Sequence, residues 1–138
     1  PIACDLQVFT KEERAQHVHQ SLNVIRRWPK RREELPDGYL YEYEGDEGRF
    51  LEIATWAASE HRCCPWATFS VEMLPFSEGQ PGTIHFKMTG GPGGREFLAA
   101  AFSYLEQLDA QPTTPEQTSK VADDWQKSMN RFKPGCGC

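Results

Sequence analysis

The chain has 138 residues, a formal net charge of −5 and 38% hydrophobic residues. These values are typical of one globular domain that is large enough to bury a hydrophobic core, and they exclude a largely disordered chain. The acidic balance argues against a nucleic-acid partner, which usually needs a basic face. No apolar run approaches the roughly 18 residues of a membrane span, and no signal-peptide core is present. We therefore expect a cytoplasmic protein with no membrane partner.

The first predicted elements are a short strand at residues 6–9 and a helix that begins at Thr10. Thr10 and Glu13 match a capping box, in which each side chain satisfies a backbone amide at the helix start. Pro29 ends this helix, because proline cannot continue the helical hydrogen bonds. The charged residues 26–34 are interpreted as a solvated helix end and loop rather than as a binding patch.

A second strand and a second helix follow. Residues 39–43 alternate like a strand with tyrosines on one face. The apolar spacing of residues 50–57 predicts a helix with one buried face. Continued in steps of three and four, this face reaches His61 and Cys64. Pro65 disfavours helical geometry at Cys64, so the helix should end at the cysteines.

The second half predicts two strands and two helices. Alternating apolar residues predict strands at residues 69–73 and 84–88, and helical spacing predicts a third helix over residues 97–108. Thr114 then starts a last helix with a one-sided apolar edge that should dock on the domain. That edge consists of Val121, Trp125, Met129 and Phe132.

This order of elements predicts an α+β fold with helices covering one face of a mainly antiparallel sheet. Residues 1–110 should form the single α+β domain that carries the cysteine motif. Residues 111–138 should supply a linker, the docking helix and a Gly-Cys-Gly-Cys tail.

Four of the five cysteines occur in two close pairs, Cys63 with Cys64 and Cys136 with Cys138. In a reducing compartment, clustered cysteines more often bind metal or perform redox chemistry than form structural disulfides. Neighbouring helical side chains diverge by about 100°, so one of Cys63 and Cys64 should lie at a surface or cleft. Glu60 precedes them by three and four residues and could lie beside either thiol.

The two pairs could together supply three or four sulfur ligands, and His61 could add a nitrogen. Four sulfurs select zinc, whereas two or three suit mercury, arsenite or Cu(I). His17 and His19 face different ways on their helix and do not form a ligand pair. Cys4 is a possible fifth thiol ligand, but a cysteine with no partner nearby in sequence is more often structural. No organic cofactor is indicated.

The segment from Glu60 to Trp66, followed by residues 69–72 and by residues 88–94 before Phe97, resembles a family of small uncharacterised bacterial proteins. Their pattern is approximately Glu-Arg-x-Cys-Cys-Pro-Phe, a strand pair, Thr-Gly-Pro-x-Gly and a helix. The resemblance covers most of residues 4–108, with His61 in place of the usual Arg and Trp66 in place of Phe. It implies the same fold, a central role for the cysteine pair and a loose association with heavy-metal resistance.

The leading hypothesis is a thiol protein that binds a soft metal ion such as mercury. Cys63 and Cys64 would form the fixed site, Cys136 and Cys138 would be mobile ligands, and Glu60 would handle protons. The alternative is a thiol–disulfide or peroxide-type oxidoreductase, with Cys63 or Cys64 as the nucleophile and a tail cysteine as the resolving thiol. A third possibility is a binding module whose cysteines are only structural. The partner would be a metal ion or a thiol protein, and the sequence leaves open whether the protein is an enzyme.

Overall fold

A computed structural model describes residues 2–132 of the chain. Four α-helices and four strands make up this part, in the order α1 Lys11–Ser21, β1 Arg31–Leu35, β2 Gly38–Gly45, α2 Glu47–Cys63, β3 Thr68–Leu74, β4 Gly82–Thr89, α3 Gly94–Glu106 and α4 Pro115–Arg131. A π-helical turn, Leu22–Arg27, continues α1. None of the helices in the described range is both long enough and apolar enough to cross a membrane.

The four strands form one antiparallel sheet in the order β1-β2-β4-β3, so the α+β prediction is confirmed. In the centre of the sheet, Tyr41 of β2 is paired with Phe86 of β4. The tyrosines of β2 and the apolar residues of β4 therefore share one buried face. The helices pack on this face, where Trp56 of α2 meets the Phe86 ring edge-on at 5.4 Å.

Two predictions for the first third of the chain are wrong. Residues 6–9 do not form a strand, because Leu6–Val8 is a 3-10 turn that Asp5 caps through the Gln7 amide. The charged segment after Pro29 is not a loop but strand β1. An edge strand tolerates such a sequence, because its side chains reach solvent and can pair. Arg31, for example, contacts Glu42 on β2 at 3.1 Å.

Helix α4 docks through its apolar side, and the α4 residues Val121, Trp125 and Met129 are buried. The Trp125 Nε1 group donates a hydrogen bond to the Ala101 carbonyl of α3 at 2.8 Å. Gln126, the next residue, makes two hydrogen bonds to the N-terminal segment. Its Oε1 accepts from the Leu6 amide at 2.7 Å, and its Nε2 donates to the Cys4 carbonyl at 3.0 Å. The last helix thus fixes the segment that contains the first cysteine.

We predict that Trp125→Ala lowers the free energy of unfolding by about 3–5 kcal/mol, the usual cost of removing a buried aromatic side chain. Lys127→Ala, an exposed change on the same helix, is the matched control and should cost less than about 0.5 kcal/mol. Urea unfolding measures both values. Equal values, together with unprotected amides over residues 115–132 in hydrogen exchange, would contradict the docking of α4.

Candidate functional site

The site is built at the end of α2, where Cys63 is the last helical residue and Cys64 leaves the helix with φ −124° and ψ 66°. Helix α2 ends at the cysteines as the proline predicts. Both side chains nevertheless enter the interior, with 3% of Cys63 and 1% of Cys64 exposed. The prediction that one of the two would lie at a surface is therefore wrong. The divergence of about 100° holds only between helical residues, and Cys64 has already left the helix.

The structure gives Cys4 a partner, because Cys4 and Cys64 form a disulfide across 60 residues of sequence. Three long-range hydrogen bonds to the backbone hold the chain near Cys4 in place. They run from Gln126 Nε2 to the Cys4 carbonyl, from Trp66 Nε1 to the Ala3 carbonyl and from the Asp5 amide to the Cys63 carbonyl. The first cysteine thus belongs to the same site as the Cys63–Cys64 pair.

Three sulfur atoms and one carboxylate converge in this site. The sulfur of Cys63, the free thiol among the described cysteines, lies 3.6 Å from the sulfur of Cys64. The Glu60 carboxylate lies beside both, with Oε2 3.7 Å from the Cys63 sulfur and Oε1 3.4 Å from the Cys64 sulfur. The spacing of three and four residues across the end of α2 produces this arrangement, as the sequence indicated.

The partner of the Glu60 carboxylate is His17 on α1, a residue that the sequence reasoning missed. His17 Nε2 and Glu60 Oε2 are hydrogen-bonded at 2.7 Å, and each residue is only 2% exposed. The sequence carried no clear signal, because Ser21 and Val24, which follow His17 by four and seven residues, are buried in the structure but form no apolar stripe with it. The buried face of α1 is therefore wider than its most apolar stripe and includes the imidazole.

Burial, and then the neighbouring Glu60 carboxylate, raise the pKa of the Cys63 thiol well above its ordinary range. Desolvation disfavours the thiolate, and a second negative charge at this distance disfavours it further. Cys63 is therefore a neutral thiol at neutral pH. It is not an activated nucleophile, but a metal ion can still deprotonate a thiol by coordinating it.

Two groups of side chains place their ligand atoms within 4.8 Å of one another and could hold a metal ion. One group is Cys4, Glu60 and Cys64, and the other is His17, Glu60 and Cys63. His61 belongs to neither group: it is exposed, and its ring packs edge-on against Phe69 at 5.9 Å. The predicted tail ligands, Cys136 and Cys138, lie outside the described residues.

Comparison of the chain with protein-family models, with curated proteins and with solved structures finds no match. What the site can do chemically is therefore inferred from its side chains alone. It contains a disulfide, a buried free thiol and a carboxylate–imidazole pair. Such a set is compatible with a thiol function or with metal binding.

We predict that the stability of the protein falls with rising pH because of Cys63. The unfolded chain loses the Cys63 proton near the ordinary pKa of 9.0, whereas the folded chain keeps it because its pKa is raised. Stability is therefore fully present below pH 9 and decreases above it, by at most about 1.4 kcal/mol per pH unit.

Urea unfolding of the wild type and of Cys63→Ala between pH 8 and pH 10 measures this effect. The difference in unfolding free energy between the two proteins should shrink above pH 9. Tyrosine titration affects both proteins and cancels in the comparison. Parallel pH curves would mean that Cys63 is not held neutral in the folded protein.

Proposed function

We propose that the protein binds a soft metal ion, such as Hg(II), Cu(I) or arsenite, through Cys4, Cys63 and Cys64 once the Cys4–Cys64 disulfide is reduced. The convergence of three sulfur atoms in one buried site is the observation that carries the proposal. Reduction converts the disulfide into two thiols beside the thiol of Cys63. Soft cations prefer sulfur ligands, and two or three sulfurs satisfy their usual coordination.

The surroundings of the sulfurs favour ion binding over a role of Cys63 as a nucleophile. A soft cation displaces the thiol proton directly, so the raised pKa of Cys63 does not prevent binding. Glu60 has an oxygen next to each sulfur of the pair and can accept one proton from a coordinating thiol, while the remaining protons leave to solvent. The buried position keeps water from competing for the ion.

The position of the last described residues supports a role for the tail. Phe132 packs on Phe97 with ring centroids 5.7 Å apart, and Phe97 packs on Trp66 at 5.3 Å. Trp66 is two residues after Cys64. Cys136 follows Phe132 by four residues, which span at most about 14 Å of extended chain. We propose that Cys136 and Cys138 take up the ion and pass it to the buried sulfurs.

The proposal fits the cytoplasmic location that the sequence predicts. Glutathione and thioredoxin keep cysteines reduced in that compartment, and the reduced site is the one that offers three thiols. The heavy-metal association that the resemblance implies agrees with this chemistry.

A thiol–disulfide oxidoreductase is the second candidate, because the Cys63 sulfur lies 3.6 Å from one sulfur of the disulfide. Attack of a Cys63 thiolate on Cys64 would form a Cys63–Cys64 bond and release Cys4 as a thiolate. The rate of such attack depends on the thiolate fraction. The raised pKa of Cys63 keeps that fraction small, so we favour ion binding.

We predict that a chain with Cys136→Ser and Cys138→Ser, called here the tail-serine chain, binds one Hg(II) when reduced. With its disulfide intact, it should bind Hg(II) at least about 100-fold more weakly, because two of three sulfurs are then blocked. Adding Cys63→Ser to the reduced chain should weaken binding at least tenfold. Met73→Leu removes an exposed sulfur outside the site and should change nothing.

Native mass spectrometry gives the stoichiometry, and competition with a small dithiol gives the affinity. Equal affinity in the reduced and oxidised forms, or in the Cys63→Ser variant and its parent, would overturn the proposal.

The tail gives a separate prediction. Compared with the wild type, the reduced tail-serine chain should bind Hg(II) more weakly but still at Cys63 and Cys64, because a tethered second pair raises the effective ligand concentration. Truncation after Pro134 should have the same effect. An oxidoreductase would instead lose turnover with a small disulfide substrate while its first oxidation step survives. Competition titrations and a turnover assay on the same samples separate the two outcomes.

A further inference from the structure

We infer that His17, Glu60 and Cys63 form a second binding site, for a borderline divalent cation such as Zn(II) or Co(II). This site is open while the Cys4–Cys64 disulfide is intact. It goes beyond the proposed soft-ion function: the two sites share Cys63 but differ in their other ligands and in redox state. With Cys4 and Cys64 joined, the site offers one sulfur, one oxygen and one nitrogen. Mixed ligands of this kind suit a borderline cation better than a soft one.

Two of the three ligand separations come close to those around a tetrahedral ion, and the third, between His17 Nε2 and the Cys63 sulfur, is within 4.8 Å. Bond lengths of about 2.0 Å to nitrogen and oxygen and about 2.3 Å to sulfur place neighbouring ligand atoms about 3.3–3.6 Å apart. The Glu60 Oε2 atom is 3.7 Å from the Cys63 sulfur and 2.7 Å from His17 Nε2. The first separation fits as it stands. The second must widen by less than about 1 Å, as the ion replaces the hydrogen bond.

The other ring nitrogen of His17 is available to carry the ring proton that this arrangement requires. Within residues 2–132, His17 Nδ1 is a buried atom without a hydrogen-bond partner. When Nε2 binds an ion, the ring proton resides on Nδ1 and is normally donated to a neighbouring group or to water. His17 lines a cavity of about 220 Å³ together with the polar side chains of Glu13, Gln16 and Gln20. The cavity reaches the imidazole but is not lined by Glu60 or Cys63, so a cation that enters there meets His17 first.

The charges also match a divalent ion. Coordination replaces the thiol proton of Cys63, which leaves to solvent, and Glu60 supplies a carboxylate. The thiolate, the carboxylate and a neutral imidazole together balance two positive charges, so the loaded site buries no net charge. The rings of Phe9, Trp56 and Trp125 surround His17 at centroid distances of 4.7, 6.1 and 6.2 Å and fix its orientation. Three protein ligands leave the fourth position to water.

Cobalt titration of the full-length tail-serine chain, with its disulfide intact, tests the inference. We expect one Co(II) per chain with visible d–d bands and a sulfur-to-cobalt charge-transfer band. Cys63→Ala should remove the charge-transfer band, and His17→Gln should weaken binding at least tenfold. His19→Gln on the same helix and His61→Gln at the end of α2 are the matched controls and should bind as their parent does.

A second measurement needs no variant at position 17. In a long-range ¹H–¹⁵N spectrum, added Zn(II) should shift the Nε2 signal of His17 and leave those of His19, His61 and His85 unchanged. No binding, binding that is insensitive to Cys63→Ala, or an unshifted His17 signal would overturn the inference. Such a result with Hg(II) binding by the reduced chain intact would remove only the second site. Loss of Hg(II) binding with cobalt binding intact would remove only the proposed function.

Discussion

The hydrogen bond between Glu60 and His17, 2.7 Å long and shielded from solvent, is the interaction around which the site is arranged. A carboxylate that is only 2% exposed is costly unless it is paired and hydrogen-bonded. The pair ties α1 to α2 and sets the carboxylate against two sulfurs. Burial, and then this carboxylate, raise the pKa of the Cys63 thiol and keep it protonated. The site therefore holds a protonated thiol. A thiophilic cation can displace this proton by binding to the sulfur.

The Cys4–Cys64 disulfide gives this site two chemical states. With the bond intact, Cys63 is the free thiol among the described cysteines, next to an oxygen and a nitrogen ligand. With the bond reduced, three sulfurs meet at the same place. Helix α4 holds the backbone of Cys4 at this site, because Gln126 Nε2 donates a hydrogen bond to the Cys4 carbonyl at 3.0 Å and does not involve the sulfur. The proposed preference is therefore for borderline ions when this disulfide is intact and for soft ions when it is reduced.

Much of the fold could be predicted from the sequence, because caps and periodicity are local signals. The capping box at Thr10 and the alternation of β2 were sufficient for α1 and for a central strand. Strand β1 was missed because its charged sequence resembles a loop, and only its pairing with β2 makes it a strand. The candidate site was predicted in part. Glu60 follows from helical spacing, whereas Cys4 and His17 reach it only through tertiary packing that no local pattern encodes.

X-ray absorption at the mercury edge tests the central claim most directly, since it identifies the atoms bound to the ion. The sample is the reduced tail-serine chain loaded with one equivalent of Hg(II). We predict a first shell of two or three sulfur atoms, with one fewer in the Cys63→Ser variant. A shell of oxygen and nitrogen, or a sulfur count that Cys63→Ser leaves unchanged, would contradict binding by the converging sulfurs.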